Sequence, residues 1–140
     1  MNEMRRESPR IDVETLCWEV VSGQVGQASG LAVDLSSMGL RIERPYVGGP
    51  TRREVQLEIE VPGIDEIMWA KGDVCSDVLV PSRTSAGGPM GLIRRTGYRL
   101  VTAATRDLRM LKEYVFETDR VRRREAIDLL NATGYLRARA

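Results

Sequence analysis

The chain has 140 residues and a mass of 15.7 kDa, enough for one domain with a real core and short for two. Lys and Arg number 21 against 20 Asp and Glu, a net charge of +1, whereas gripping long nucleic acid by bulk charge takes a larger positive excess. With no histidine and only Cys17 and Cys75, the chain excludes Ser-His-Asp and Cys-His catalysis, imidazole and four-thiolate zinc sites, and a disulfide-dense scaffold.

Residues 1–10 read as a charged, extended arm carrying Arg5, Arg6 and Arg10, with Pro9 turning Ser8 away from helix. The arm lacks the apolar stretch of a signal peptide, and no run of about 20 apolar residues follows. A cytoplasmic location is therefore expected, with no membrane insertion and both thiols reduced. Each cysteine has apolar neighbours and is expected to be a small buried hydrophobe. From Ile11 a strand begins, with Ile11, Val13 and Cys17 on one parity. Beyond Thr15 the apolar parity changes to Leu16, Trp18 and Val20, which predicts a bulge or burial on both faces.

Gly23, Gly26 and Gly30 mark a loop, and Leu31, Val33 and Leu35 resume the alternation. Asp34 to Gly39 reads as a turn, followed by Leu40 and Ile42 facing one way and Arg41 and Glu43 the other. A second loop spans Pro45 to Pro50. Arg53 to Val61 is the clearest strand, its Val55, Leu57, Ile59 and Val61 alternating with polar residues. Ile67 to Val80 predicts a long bent strand, 81–91 a mobile loop, and Leu92 to Val101 the last strand. Trp18 and Trp69 are expected in the core or at a barrel seam.

From Thr105 the period becomes helical, with Leu108, Leu111 and Val115 at i, i+3 and i+7. Asp119 is expected to cap a second helical segment that carries Ile127 and Leu130 and ends near Gly134. The predicted organisation is an arm over 1–10, a barrel over 11–104 and a helical segment over 105–140. Strands at this spacing followed by a helix point to a mainly β protein, a small antiparallel barrel with a helical C-terminus. Such a barrel fills its interior with side chains, so function is expected on loops and the outer surface.

Two polar motifs stand out: Arg6-Glu7-Ser8-Pro9-Arg10, an R-x-x-x-R preceded by Arg5, and Asp34-Leu35-Ser36-Ser37-Met38-Gly39, a D-x-S-x-x-G. In an extended arm, positions four apart share a side, so Arg6 and Arg10 can face one ligand. Guanidinium matches phosphate and the O6/N7 edge of guanine, and it stacks on purine faces. Asp34 supplies an acceptor for guanine N–H groups, Ser36 a short hydroxyl, and Gly39 a turn that L-residues resist. Taken singly, terminal arginines are ordinarily just solvated, and D-x-S-x-x-G is also an ordinary turn.

In their order and spacing, RRESPR followed by DLSSMG, the motifs resemble those of the PilZ family, bacterial receptors for cyclic di-GMP. The resemblance covers about residues 5–118. It implies a six-stranded antiparallel split barrel, no enzyme activity, no cofactor, and cyclic di-GMP as ligand. It also implies roles. Arg6 and Arg10 would contact guanine and phosphate, Asp34 a Watson–Crick edge, and Ser36 the ligand, while Gly39 would keep the turn tight against it. Arg5 would influence whether one nucleotide or a stacked pair binds. The expected output is rearrangement of the arm, exposing or covering a surface for a protein partner. The alternative is an interaction module of the same fold that binds no nucleotide. The helical stripe packs on the barrel or forms a homodimer seam. The six arginines of residues 119–140 leave a nucleic-acid reading open, but base-stacking aromatics are sparse there.

Overall fold

The computed structural model describes residues 9–20, 28–49, 54–82 and 91–133. Six antiparallel strands form one closed barrel: β1 (Ile11–Val20), β2 (Ala28–Leu35), β3 (Gly39–Pro45), β4 (Glu54–Glu60), β5 (Ile67–Pro81) and β6 (Leu92–Ala103). One helix among the described residues, α1 (Thr105–Ala132), follows. Around the barrel the order is β1-β2-β3-β6-β5-β4, so the short β1–β4 ladder, Cys17–Val20 against Gln56–Ile59, closes it.

Alternation builds the interior. Leu57 and Ile59 of β4, Leu35 of β2, Leu40 and Ile42 of β3 and Met68 and Ala70 of β5 are all buried. Leu111 and Val115 of α1 join this core, with Leu108 packed against it. They plug the end of the barrel, where Leu111 lies beside Val61 and Met68, and the helix also contacts β1. Burying stripes of this kind supplies most of a small barrel's stability.

The expected parity change in β1 does not occur. Ile11, Val13, Thr15, Cys17 and Glu19 all point inward and are buried, while Leu16 is exposed and Trp18 half-buried. A bulge does exist, between Asp12 and Thr15 against β2, yet the inward face continues through it. Thr15 is tolerated inside because its hydroxyl donates to the Glu60 carbonyl of β4. Glu19 is tolerated because Arg44 Nη1 and the Tyr98 hydroxyl both donate to its carboxylate. This ionic cluster lies about 25 Å along the strand from Ile11, so the barrel is apolar at the helix end and polar at the other. Burial is the largest single influence on Arg44 and opposes its charge, but the hydrogen bonds and charges of Glu19 and Tyr98 together outweigh it and raise the guanidinium's pKa.

β5 is long and bent as expected, with irregularities at Lys71/Gly72 and Val74/Ser76. Gly72 makes room for the cluster: a Cβ there would sit 2.8 Å from Leu57 Cδ1 and 3.2 Å from Tyr98 Cβ. Cys17 is buried, but Cys75 is exposed beside the second bend, where its Sγ lies 3.4 Å from the Gly97 carbonyl. The expectation that both thiols are buried is corrected for Cys75, because the bend breaks the alternation. Trp69 is corrected as well. It sits on the outward parity of β5, between buried Met68 and Ala70, and is 51% exposed.

The helix is one continuous element of 28 residues, about 42 Å long. Asp119 caps nothing; it lies mid-helix and pairs with Arg123, 3.0 Å away at i+4. Gly30 belongs to β2 rather than to a loop. Gly134, residues 83–90 of the expected loop, and Arg137 and Arg139 lie outside the described residues. No helix among the described residues is long and apolar enough to cross a membrane.

Candidate functional site

The β2–β3 hairpin builds the site. Its ladder pairs Leu35 with Leu40 and Asp34 with Arg41, leaving Ser36 to Met38 as the tip. Ser36 organises that tip. Its backbone N–H donates to the Gly39 carbonyl at 2.9 Å. Its hydroxyl accepts from the backbone N–H groups of Met38 at 3.2 Å and Gly39 at 3.1 Å, and donates to the Gly39 carbonyl at 3.3 Å. One proton and two lone pairs are thereby all engaged, and the residue is buried. Ser36 therefore holds the turn, and a ligand contact from its hydroxyl would require breaking one of these bonds.

Gly39 is needed for a reason other than the one expected. It lies in strand conformation, and its φ is not among the positive glycine values, which belong to Gly48, Gly49, Gly63 and Gly91. The constraint is steric: any Cβ at Gly39 would overlap the carbonyl oxygen of Tyr98 on β6. Gly39 thus lets β3 approach β6 closely, where it pairs with Arg99, and the carbonyl of the preceding turn residue, Met38, accepts from the Leu100 N–H at 2.8 Å.

Asp34 lies just before this tip, and its side chain is only 9% exposed. Arg10 Nη1 reaches Asp34 Oδ1 at 3.4 Å from the start of β1, 24 residues away in sequence. Arg41 Nε reaches Oδ2 at 3.4 Å from the opposing strand. Both guanidiniums are half exposed, so one nearly buried carboxylate anchors two cations that still face solvent. Arg99, paired with Gly39, is exposed beside them. Arg5 and Arg6 lie outside the described residues. Of the six candidate residues, the structure brings Arg10 and Asp34 into contact, puts Ser36 and Gly39 in the adjoining turn, and leaves two undescribed.

Arg41 was absent from the motif reading, though the signal was present. Once Leu35 faces Leu40 across a four-residue turn, antiparallel register puts residue 41 opposite residue 34. A groove of about 440 Å³ runs beside the site, lined by Asp12, Glu14, Leu31, Val33, Glu43 and Arg122. Three carboxylates make it a poor host for an anion. An anion fits the exposed guanidinium rim around Asp34 better. No group of three or more His, Cys, Asp or Glu among the described residues is placed to hold a metal ion.

No protein-family model matches the chain, and a sequence search of curated proteins returns no match. Solved structures do match. The inhibitor of motility MotI/DgrA from Bacillus subtilis superposes with a TM-score of 0.64 at 14% identity, over 82% of this chain and 51% of that one. The PilZ domain of YcgR from Escherichia coli, solved with c-di-GMP, gives 0.62 at 16% identity, over 87% of this chain and 97% of the domain. YcgR in complex with c-di-GMP gives 0.59 at 16% identity, over 89% of this chain and 50% of that protein. The chain therefore spans about half of two of these proteins and nearly all of the isolated PilZ domain. The expected six-stranded antiparallel barrel with a C-terminal helix is what the chain forms, and its fold is that of the PilZ domains.

Proposed function

We propose that the chain is a receptor for cyclic di-GMP that works without catalysis. One observation carries the reading. On the exterior of a barrel with the PilZ fold, Arg10 and Asp34 meet from positions 24 residues apart in sequence. In this reading Arg10 and Arg41 take phosphate or a guanine edge, and Asp34 accepts from guanine N–H groups once its present cations turn to the ligand. Ser36 and Gly39 act through the backbone: they fix the hairpin on which Asp34 and Arg41 stand. The arm carrying Arg5 and Arg6 closes over the ligand, and its changed position is what a protein partner reads.

Calorimetry with cyclic di-GMP, and GTP as control, tests this. Wild-type protein should bind, and Arg10→Ala and Asp34→Ala should each weaken binding by about 2 kcal/mol or more, roughly thirtyfold. Binding unaltered in both variants removes the site assignment.

A second reading has its own support. Asp34 is already satisfied from both sides, and the neighbouring groove is acidic. An interaction module that binds no nucleotide would look the same. No heat from wild-type protein with cyclic di-GMP decides for it.

A further inference from the structure

Two exposed surfaces outside the β2–β3 site carry opposite chemistry. The first is the outer face of β1, β4 and β5. The ladder sets Trp18 opposite Glu58 and Glu58 opposite Trp69, so one carboxylate stands between two indoles in a row across three strands. The neighbouring row pairs Glu60 with Ile67, and Leu16 lies two residues before Trp18 on the same face. Leu16, Ile67 and Trp69 are each exposed by two-fifths or more. Among the described residues, no hydrogen bond or ion pair is made by the side chain of Glu58 or Glu60. An exposed and a half-buried tryptophan around unpaired carboxylates are the composition of a contact surface, not of ordinary solvated sheet.

The second surface is the side of α1 turned away from its buried stripe. Lys112, Phe116, Arg120, Arg123, Ile127 and Leu130 follow one another at intervals of four, four, three, four and three, which puts them on one face. All are exposed, Ile127 by 55%. Lys112 Nζ lies 5.8 Å from the centre of the Phe116 ring. Glu117 and Asp119 hold Arg120 and Arg123 from the flanks at 2.6 and 3.0 Å. Those surface pairs are weak and readily exchanged. After Val115 the helix has no buried residue.

We propose that these two surfaces dock on one another between two copies of this chain. The cationic and apolar stripe of one helix lies along β4 of the second copy. Arg120 and Arg123 meet Glu58 and Glu60, and Phe116 and Ile127 settle among Trp18, Ile67 and Trp69. The spacings are within reach. Residues two apart on a strand are separated by about 6.7 Å, and Arg120 and Arg123, three apart on the helix, by about 4.5 Å along its axis, a difference that two long arginine side chains span. Arginine on an indole face adds a cation–π contact. Charge complementarity selects a second copy: the acid face needs a cationic, apolar helix, and the chain itself supplies one that the described residues leave uncovered. The opposite side of α1, through Leu111 and Val115, stays on its own barrel, so the contact leaves the fold unchanged.

Sedimentation equilibrium of the full chain at low and high salt is the test. Wild-type protein should dimerise at low salt and dissociate as salt rises. Glu58→Lys/Glu60→Lys and Arg120→Glu/Arg123→Glu should each weaken self-association by about tenfold or more. An equimolar mixture of the two should recover the dimer, because every contact between the unlike copies is again complementary. That recovery also shows both variants to be folded, and circular dichroism checks the helix in each alone. Wild-type protein that stays monomeric at every concentration overturns the proposal, as does association that persists in both variants. So does a monomer that binds vesicles of anionic lipid through Arg120 and Arg123, which would assign the stripe to a membrane surface.

Discussion

Glu19 offers the sharpest test of how this barrel is held together. Its carboxylate is 1% exposed as a residue and receives Arg44 and the Tyr98 hydroxyl, itself 2% exposed as a residue. The Arg44 side chain is 13% exposed. Glu19→Ala removes the acceptor and leaves a guanidinium and a phenol inside the barrel without it. Breaking one side of such a pair costs about 3–5 kcal/mol, a fifth or more of a small domain's typical stability of roughly 5–15 kcal/mol. Replacing both charges is different, because no ion remains to be solvated. Glu19→Leu/Arg44→Met should cost about 1 kcal/mol or less, so the double mutant should be more stable than Glu19→Ala. Tyr98→Phe, which deletes one hydrogen bond to the carboxylate, should cost about 1.5 kcal/mol. Urea unfolding followed by tryptophan fluorescence measures all of them. If Glu19→Ala falls within 1 kcal/mol of wild type, or the double mutant is as unstable as the single, the cluster is not the internal ion pair described above.

Gly39→Ala should lose about 2 kcal/mol or more in the same assay, because the new Cβ meets β6 backbone that can retreat only by parting the β3–β6 ladder. A change under 0.5 kcal/mol would show that the close approach relaxes freely. Arg41→Ala should weaken cyclic di-GMP binding about tenfold, less than Arg10→Ala; unaltered binding would take Arg41 out of the site while leaving Arg10 and Asp34 in it. Burial, with Glu19 and Glu58 adding to it, pushes the Cys17 thiol up from its ordinary 9.0. A native-state thiol titration at pH 8 should therefore modify Cys75 and spare Cys17 until the protein unfolds. The same shift has a consequence for pH. The raised thiol stabilises the fold fully below pH 9, and this contribution falls as pH rises past 9, where the unfolded chain releases the proton and the folded chain keeps it. The loss is about 1.4 kcal/mol per pH unit, and Cys17→Ala should remove that part of the slope.

Sequence periodicity determined most of the architecture. In β4 the alternation of Val55, Leu57 and Ile59 with polar residues specifies a strand with one wet face, and Leu108, Leu111 and Val115 specify a helix laid on the core. Both patterns are local, so a single sequence displays them. The order of the two polar motifs also pointed to the fold, whereas the direct contact between Arg10 and Asp34 came only with the pairing of β1 and β2. Other features were decided by contacts between distant segments. Glu19 looks like an outward residue until Arg44 and Tyr98 arrive from β3 and β6 to hold its charge. Trp69 looks like core until the parity fixed by Met68 and Ala70 turns it to solvent. Gly39 reads as a turn glycine, and only the carbonyl of Tyr98, 59 positions further along the chain, shows why no side chain fits there. A side chain's own chemistry sets what it prefers to touch, but barrel closure sets what it does touch, and closure brings together strands that the sequence keeps far apart.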